Sequence, residues 1–250
     1  MPELKRSIAY LYLEETDLRR ETLYTRSHPR IAPAPPYKTY PKAPRVVLPR
    51  RWDGEESNFW RLLQRRRSHR NFSPEPMGLT ELSLLLWAAQ GITAQVGDYY
   101  FRTAPSAGAL YPVETYVAAL AVDGVEPGLY HFDCRQFELE KLRGGRLEGE
   151  LTSAALGQGM IRTAGAVFIW TAVLRRTMSK YGHRGLRYIF LDAGHLCQNL
   201  LLAAEALELG ACPVAAFFDE EMAGLLGVDG EEERPIYLAV VGKRKGRRQP

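Results

Sequence analysis

Residues 166–173 read AVFIWTAV and residues 186–209 read LRYIFLDAGHLCQNLLLAAEALEL; the contrast between these two apolar runs sets the fold class. The first is short, rich in β-branched and aromatic residues and lacks a polar face, which predicts a strand buried on both sides. In the second, Ile189, Phe190, Leu191, Leu196, Leu200, Leu201, Ala203, Ala204 and Leu207 occupy most faces of a helix. That pattern predicts a helix lying centrally or in a subunit interface, with Gly210 as its cap.

Working outward, strand-like runs fall at 114–122, 129–132, 137–142 and 236–241, the last again apolar on both faces. Helical spacing of Phe59, Leu62 and Leu63 predicts a helix over 57–67, and Thr80/Glu81 open another over 80–90. Each should pack one face inward, and residues 7–20 fit a short amphipathic helix. Strands and helices mix without regular βαβ alternation, which predicts an α+β fold.

A chain of 250 residues, 46% hydrophobic and 25% charged, can bury a real core and is neither disordered nor a coiled coil. The longest nearly apolar run, 164–174, is about half of the ~20 residues a membrane-spanning helix needs. The first residues hold no signal-peptide core, so a cytoplasmic protein without a membrane partner is expected. Charge is uneven. Residues 1–70 carry 16 Lys/Arg against 8 Asp/Glu, residues 71–242 carry 12 against 21, and residues 243–250 add 5 basic residues. These basic ends form no single stripe and have no zinc-finger or RNA-binding signature, so no nucleic-acid partner is expected. Cys134, Cys197 and Cys212 lie far apart without a C-x-x-C pair, which predicts buried reduced thiols and no metal site.

Residues 32–49, APAPPYKTYPKAPRVVLP, form a proline-fixed extended arm. Its Tyr37, Tyr40, Val46, Val47 and Leu48 suit a strap reaching across a partner subunit rather than a solvated linker. The expected organisation is an N-terminal arm over 1–50, one domain over 51–242 and a basic tail over 243–250.

Four stretches could carry chemistry. In RRSHR, residues 66–70, Arg66, Ser68 and Arg70 alternate along a turning-to-extended segment and offer a dianion paired donors; the plainer reading is a solvated basic helix end. PSAGALYP, residues 105–112, places small residues where backbone can approach a flat ligand, or forms a tight loop with no ligand. KYGHRG, residues 180–185, sets Lys180 beside Tyr181; a neighbouring ammonium favours the phenolate and makes a proton acceptor and donor of the pair. A charged loop capping the next helix is its plainer reading. CPVAAFFD, residues 212–219, is again small where a ring could lie. His195, among apolar neighbours, reads as a core or interface histidine, and Asp192 as a residue that caps or cross-links helices. No paired carboxylates, Walker loop or Ser/His/Asp order competes.

Together these stretches, the arm PPYKTYPKAPRVVLP, the helix DAGHLCQNLLLAAEALELG and the closing strand PIYLAVVG resemble, in order and spacing, the FMN-dependent nitroreductase superfamily, in its branch of SagB-type dehydrogenases. That branch includes the azoline oxidases of ribosomal peptides. The resemblance runs from about Tyr12 to Gly242. It implies a mostly antiparallel central sheet flanked by helices, in an intertwined homodimer with FMN at the subunit interface. Its phosphate and ribityl contacts fall on Arg66, Ser68 and Arg70. A contribution from the other subunit falls on Pro105, Ser106, Ala107, Gly108 and Leu110. Gln158 stands near the pyrimidine edge; Ala215 and Ala216, where relatives often have Gly-Gly or Glu-Gly, stand near N5; Lys243 and Arg244 finish the phosphate site. Lys180 and Tyr181 take the proton when an azoline or related C–N bond is dehydrogenated. Substrates are small molecules or peptides, the latter with a cyclodehydratase partner. An NAD(P)H-dependent nitroreductase or quinone reductase is the alternative enzyme, and a flavin-bearing scaffold in a peptide-modifying complex the non-enzymatic one.

Overall fold

Residues 166–173 do form a strand, and it lies inside the sheet with its side chains alternating between two cores. The computed structural model describes residues 2–17, 19–22, 58–97 and 99–245; the proline-rich arm and residues 246–250 of the basic tail lie outside the described residues. In chain order the elements are α1 (Pro2–Lys5), α2 (Ile8–Thr16), α3 (Asn58–Arg65), α4 (Leu79–Gln90), β1 (Ile92–Val96), β2 (Tyr99–Arg102), β3 (Val113–Ala119), β4 (Gly128–Asp133), β5 (Glu138–Gly144), α5 (Glu148–Ala154), β6 (Ala166–Val173), α6 (Leu174–Tyr181), α7 (Gly185–Ala206), β7 (Leu209–Val214), α8 (Asp219–Leu226) and β8 (Glu233–Lys243).

Six strands form one sheet in the order β5-β4-β3-β6-β8-β7, every neighbouring pair antiparallel. The period-2 alternation of strands divides its residues between two faces. Phe168 and Trp170 of β6 and Ala239 and Val241 of β8 join Leu82 and Leu85 of α4 and Leu196 and Leu200 of α7. Val167, Ile169, Leu238 and Val240 face the other way, onto Leu151 of α5 and Met222 of α8. The result is an α+β molecule of three layers, helices on each side of an antiparallel sheet. Complete burial of Phe168 alone contributes roughly 3 kcal/mol.

A third cluster positions the site. Ala9 and Leu13 of α2 pack on Leu174 of α6 and Leu186 and Ile189 of α7, so the N-terminal helix braces the α6–α7 elbow. Ser7 caps α2 by accepting the Tyr10 amide at 3.1 Å. The helix is locked from its other end by Asp17, whose carboxylate accepts the Arg234 guanidinium at 2.6 Å with both side chains buried.

Several expectations change. Gly210 does not cap α7: the helix ends at Ala206, Glu208 turns the chain with φ +58°, and Gly210 already pairs with Gly242 inside the sheet. With so short a connection, the glycine serves the strand. Residues 180–181 are not in a loop; they close α6, and a single 3₁₀ turn, Gly182–Arg184, leads to α7. Of the apolar residues of α3 only Leu62 is half-buried, and Phe59, Trp60 and Leu63 are exposed. His195 is exposed, which excludes the core and leaves the interface for it, and Cys134 is only half-buried, while Cys197 and Cys212 are buried free thiols.

Candidate active site

The proline-flanked small-residue loop between β2 and β3 lies against the end of α6. Gly108 sits at φ +65°, and a Cβ built on it would stand 2.6 Å from the Tyr181 hydroxyl oxygen and 3.0 Å from Lys180 Nζ. Glycine is required there twice over, by the left-handed backbone and by the closeness of the two polar atoms. The sequence stretches at 105–112 and 180–185 therefore form one surface. Lys180 Nζ lies 5.4 Å from the Tyr181 ring centre, and that ring packs edge-on against Tyr188 at 5.0 Å.

Two side chains hold the loop in place. Asp192, buried on α7, accepts the Ser106 hydroxyl at 2.5 Å and the Ala107 amide at 3.4 Å, and Ser106 in turn accepts the Tyr111 amide at 2.9 Å. Burial pushes the Asp192 carboxyl above its usual range, against the hydrogen bonds it receives. From the other side Arg176 of α6 donates to the Tyr111 carbonyl at 3.2 Å and pairs with Glu114 of β3. The signal for Asp192 in the sequence is its spacing from Ile189 and Leu196, which puts a carboxylate on the buried face of a helix.

The basic segment lies elsewhere, along the free edge of β7. His69 donates its amide to the Ala211 carbonyl at 2.9 Å, and Ser68 bridges to Ala211 in parallel. Burial pushes the neighbouring Cys212 thiol up, while the Arg70 charge and a hydrogen bond from Ser68 act in the opposite direction, which sets Ser68 and Arg70 at one edge. Burial and the Arg244 charge keep His69 below its usual range. Glu205, buried at the end of α7, pairs with Arg65 at 3.2 Å and with Arg244 at 2.5 Å, and Lys243 pairs with Glu81 at 2.6 Å. Among the described residues no carboxylate pairs with Arg66 or Arg70. Two such arginines on either side of a serine in the chain are a donor set that a phosphate dianion takes. Ala215 and Ala216 follow β7 as exposed small residues. Gln158 precedes the 3₁₀ turn after α5, and the segments carrying it and the two alanines are joined by the Phe218 amide donating to the Ala154 carbonyl at 2.7 Å.

Within one chain these two surfaces stay apart. Asp192 marks the small-residue loop and Glu205 the basic edge; the thirteen helical steps from one to the other span about 20 Å. The outer surface of the intervening helices is apolar and open, with Trp87 at 48% and Leu191 at 60% exposure.

Residues 63–243 match the model of the nitroreductase family, and the chain belongs to that family, whose members are typically flavin-dependent. It is 40% identical over 192 residues to the nitroreductase-family protein MJ1384 of Methanocaldococcus jannaschii, covering 77% of this chain and 94% of that one. It is 31% identical over 146 residues to the trifolitoxin-processing protein TfxB of Rhizobium leguminosarum and 23% identical over 146 residues to the microcin B17-processing protein McbC of Escherichia coli, spanning only 39% and 54% of their lengths. Among solved structures, one chain of the Escherichia coli microcin synthetase McbBCD complex with truncated pro-MccB17 bound superimposes with a TM-score of 0.74 over 98% of this chain and 95% of its own length, at 18% identity. A nitroreductase-type structure from Anabaena variabilis gives 0.64 at 31% identity, over 75% of this chain and 38% of that one. Among the described residues no helix is long and apolar enough to cross a membrane.

Proposed function

We propose that this chain is an FMN-dependent oxidoreductase of the SagB type, which dehydrogenates an azoline or a related C–N bond of a peptide or small molecule as a homodimer. The observation that carries the reading is the meeting of Gly108 with Tyr181 and Lys180. A wall with no side chain, set against a phenol and an ammonium, suits a flat ring on one side and a proton acceptor on the other. FMN, when bound, supplies a two-electron acceptor at N5 of its ring.

The chain's own residues fit that group and divide the remaining work. Arg66, Ser68 and Arg70 would hold the phosphate, since no carboxylate among the described residues pairs with either arginine, whereas Lys243 and Arg244 are already engaged by Glu81 and Glu205 and act more by shaping the edge. Ala215, Ala216 and Gln158 would line the ring, together with Pro105, Ser106, Ala107, Gly108 and Leu110 from the other subunit. The roughly 20 Å between the loop and the basic edge supports this sharing, and the open apolar surface at Trp87 and Leu191 suits a subunit contact. Tyr181, with Lys180 Nζ 5.4 Å from its ring centre, would take the proton from the carbon beside the ring nitrogen as that C–N bond gives up its hydride to the flavin. Likeness to TfxB and McbC supports a peptide substrate modified beforehand by a cyclodehydratase partner.

A second reading, an NAD(P)H-dependent nitroreductase or quinone reductase, is supported by the 40% identity to MJ1384. Anaerobic titration of the purified yellow protein decides between them. Slow or absent bleaching by NADH and NADPH, with dehydrogenation of an azoline peptide, is expected; rapid bleaching would favour the second reading, and failure to take up FMN at all would end both.

A further inference from the structure

The small-residue loop holds a conformation that its own sequence does not favour. Gly108 has φ +65°, but Ala109 at +53° and Tyr111 at +43° are also left-handed, and neither is a glycine. Such a path persists only where surrounding groups over-determine it. Arg176 and Arg102 hold Tyr111 at the far end, the first donating to the Tyr111 carbonyl at 3.2 Å and the second donating its backbone amide to the Tyr111 hydroxyl at 3.1 Å; the near end is held by one carboxylate, Asp192, 5% exposed on α7. Its two oxygens accept the Ser106 hydroxyl at 2.5 Å and the Ala107 amide at 3.4 Å, and Ser106 closes the far end by accepting the Tyr111 amide at 2.9 Å. No Lys or Arg among the described residues forms an ion pair with Asp192; His195, one turn further along α7, acts on it through its charge, and the hydrogen bonds it accepts come from the loop. The residue thus enclosed, Gly108, is the one pressed against the Tyr181 hydroxyl.

We propose that Asp192 is a positioning residue: through Ser106 and Ala107 it locks residues 106–111 in the left-handed path that sets Gly108 against Tyr181 and Lys180, and so fixes the orientation of the pair. The kinetic part of this inference rests on the oxidoreductase reading above; the structural part does not. Asparagine offers one acceptor oxygen in place of two, so Asp192→Asn loosens the loop without adding volume, and Ser106→Ala removes the same link from the other side.

The test compares both variants with the wild-type chain by hydrogen exchange of peptides covering 104–112, by nitration of Tyr181 with tetranitromethane, and by steady-state kinetics per bound flavin. Exchange over 106–111 should rise about tenfold or more and Tyr181 nitration severalfold, while the 196–204 part of α7 keeps its protection. The kcat should fall about tenfold or more with KM within about twofold. Wild-type exchange and nitration in both variants would overturn the proposal. Faster loop exchange with unchanged nitration and kcat would also overturn it, reducing Asp192 to a structural tie. If the protein takes up no flavin, the functional reading fails, while exchange and nitration still decide the role of Asp192.

Discussion

Gly108 and Tyr181 are separated by more than seventy residues of sequence, yet the glycine backbone lies so close to the phenol that a methyl group added to it would stand 2.6 Å from the hydroxyl oxygen. This contact joins two sequence motifs into one surface and makes Gly108→Ala a sensitive probe. The left-handed backbone costs alanine roughly 1 kcal/mol relative to glycine, a modest loss of stability. The clash acts on Tyr181 and Lys180 directly. The variant should fold, with its thermal midpoint lowered by a few degrees, retain FMN and lose about tenfold or more in dehydrogenation rate. A fully active Gly108→Ala protein would show that the closeness is incidental.

Arg66 and Arg70 differ from Arg65 and Arg244, which both pair with Glu205, in lacking an acidic partner among the described residues. A charge-assisted contact is worth about 1.5–3 kcal/mol, or on the order of 10–100-fold in affinity. Replacing either arginine by alanine should weaken FMN binding by that factor but leave riboflavin, which has no phosphate, bound as in the wild type. Equilibrium dialysis with both flavins measures this. An equal loss for the two would place the arginines away from the phosphate.

Much of this arrangement is legible in the sequence, and the reasons differ by element. β6 announces itself because both its faces are buried, so every residue but Thr171 is apolar, and α7 because it is long and lies against the sheet. RRSHR and PSAGALYP stand out through dense donors and small residues between prolines. The α6 helix is hidden: LRRTMSKY holds too few apolar residues for a helical stripe, since only Leu174 and Thr177 are buried. In α3 the amphipathic spacing reveals an apolar face without saying what covers it. Asp192 is visible as a carboxylate among apolar residues, but its work depends on a loop 86 residues earlier in the chain, a contact that local periodicity does not encode.

The Asp17–Arg234 ion pair is buried on both sides and fastens α2 to the start of β8. Removing one partner of such a pair leaves an uncompensated buried charge at a cost of about 3–5 kcal/mol, whereas replacing both by apolar groups of similar size is close to neutral. Arg234→Met should therefore lower the unfolding free energy by that amount in urea titrations, and Asp17→Leu/Arg234→Met should recover most of it. Because α2 packs on Leu174 and Leu186, the single variant should also expose the α6–α7 elbow to proteolysis. Equal stability of the single and double variants would show that the pair is not coupled.

Glu114 ties the Lys-Tyr helix to the sheet, since it receives Arg176 of α6 on one side and His131 of β4 on the other, the latter at 3.2 Å. Burial alone would raise its pKa, but the His131 hydrogen bond and the Arg176 charge prevail and hold it at about 2. The hydrogen bond to Glu114, aided by Glu140 and opposed by burial, lifts His131 to about 9. The stabilisation from His131 is complete below its unfolded value near 6.5 and is lost as pH rises through about 9; that from Glu114 is complete above about 4.5 and is lost as pH falls toward 2. Both contribute between those limits. After discounting for solvent screening and mutual coupling, the His131 share is about 1–3 kcal/mol. The stability difference between wild type and His131→Gln should accordingly be largest near pH 5–6 and shrink by pH 10. A difference that stays constant across that range would mean that His131 is not charged in the folded protein, and that Arg176 alone anchors the helix bearing Tyr181.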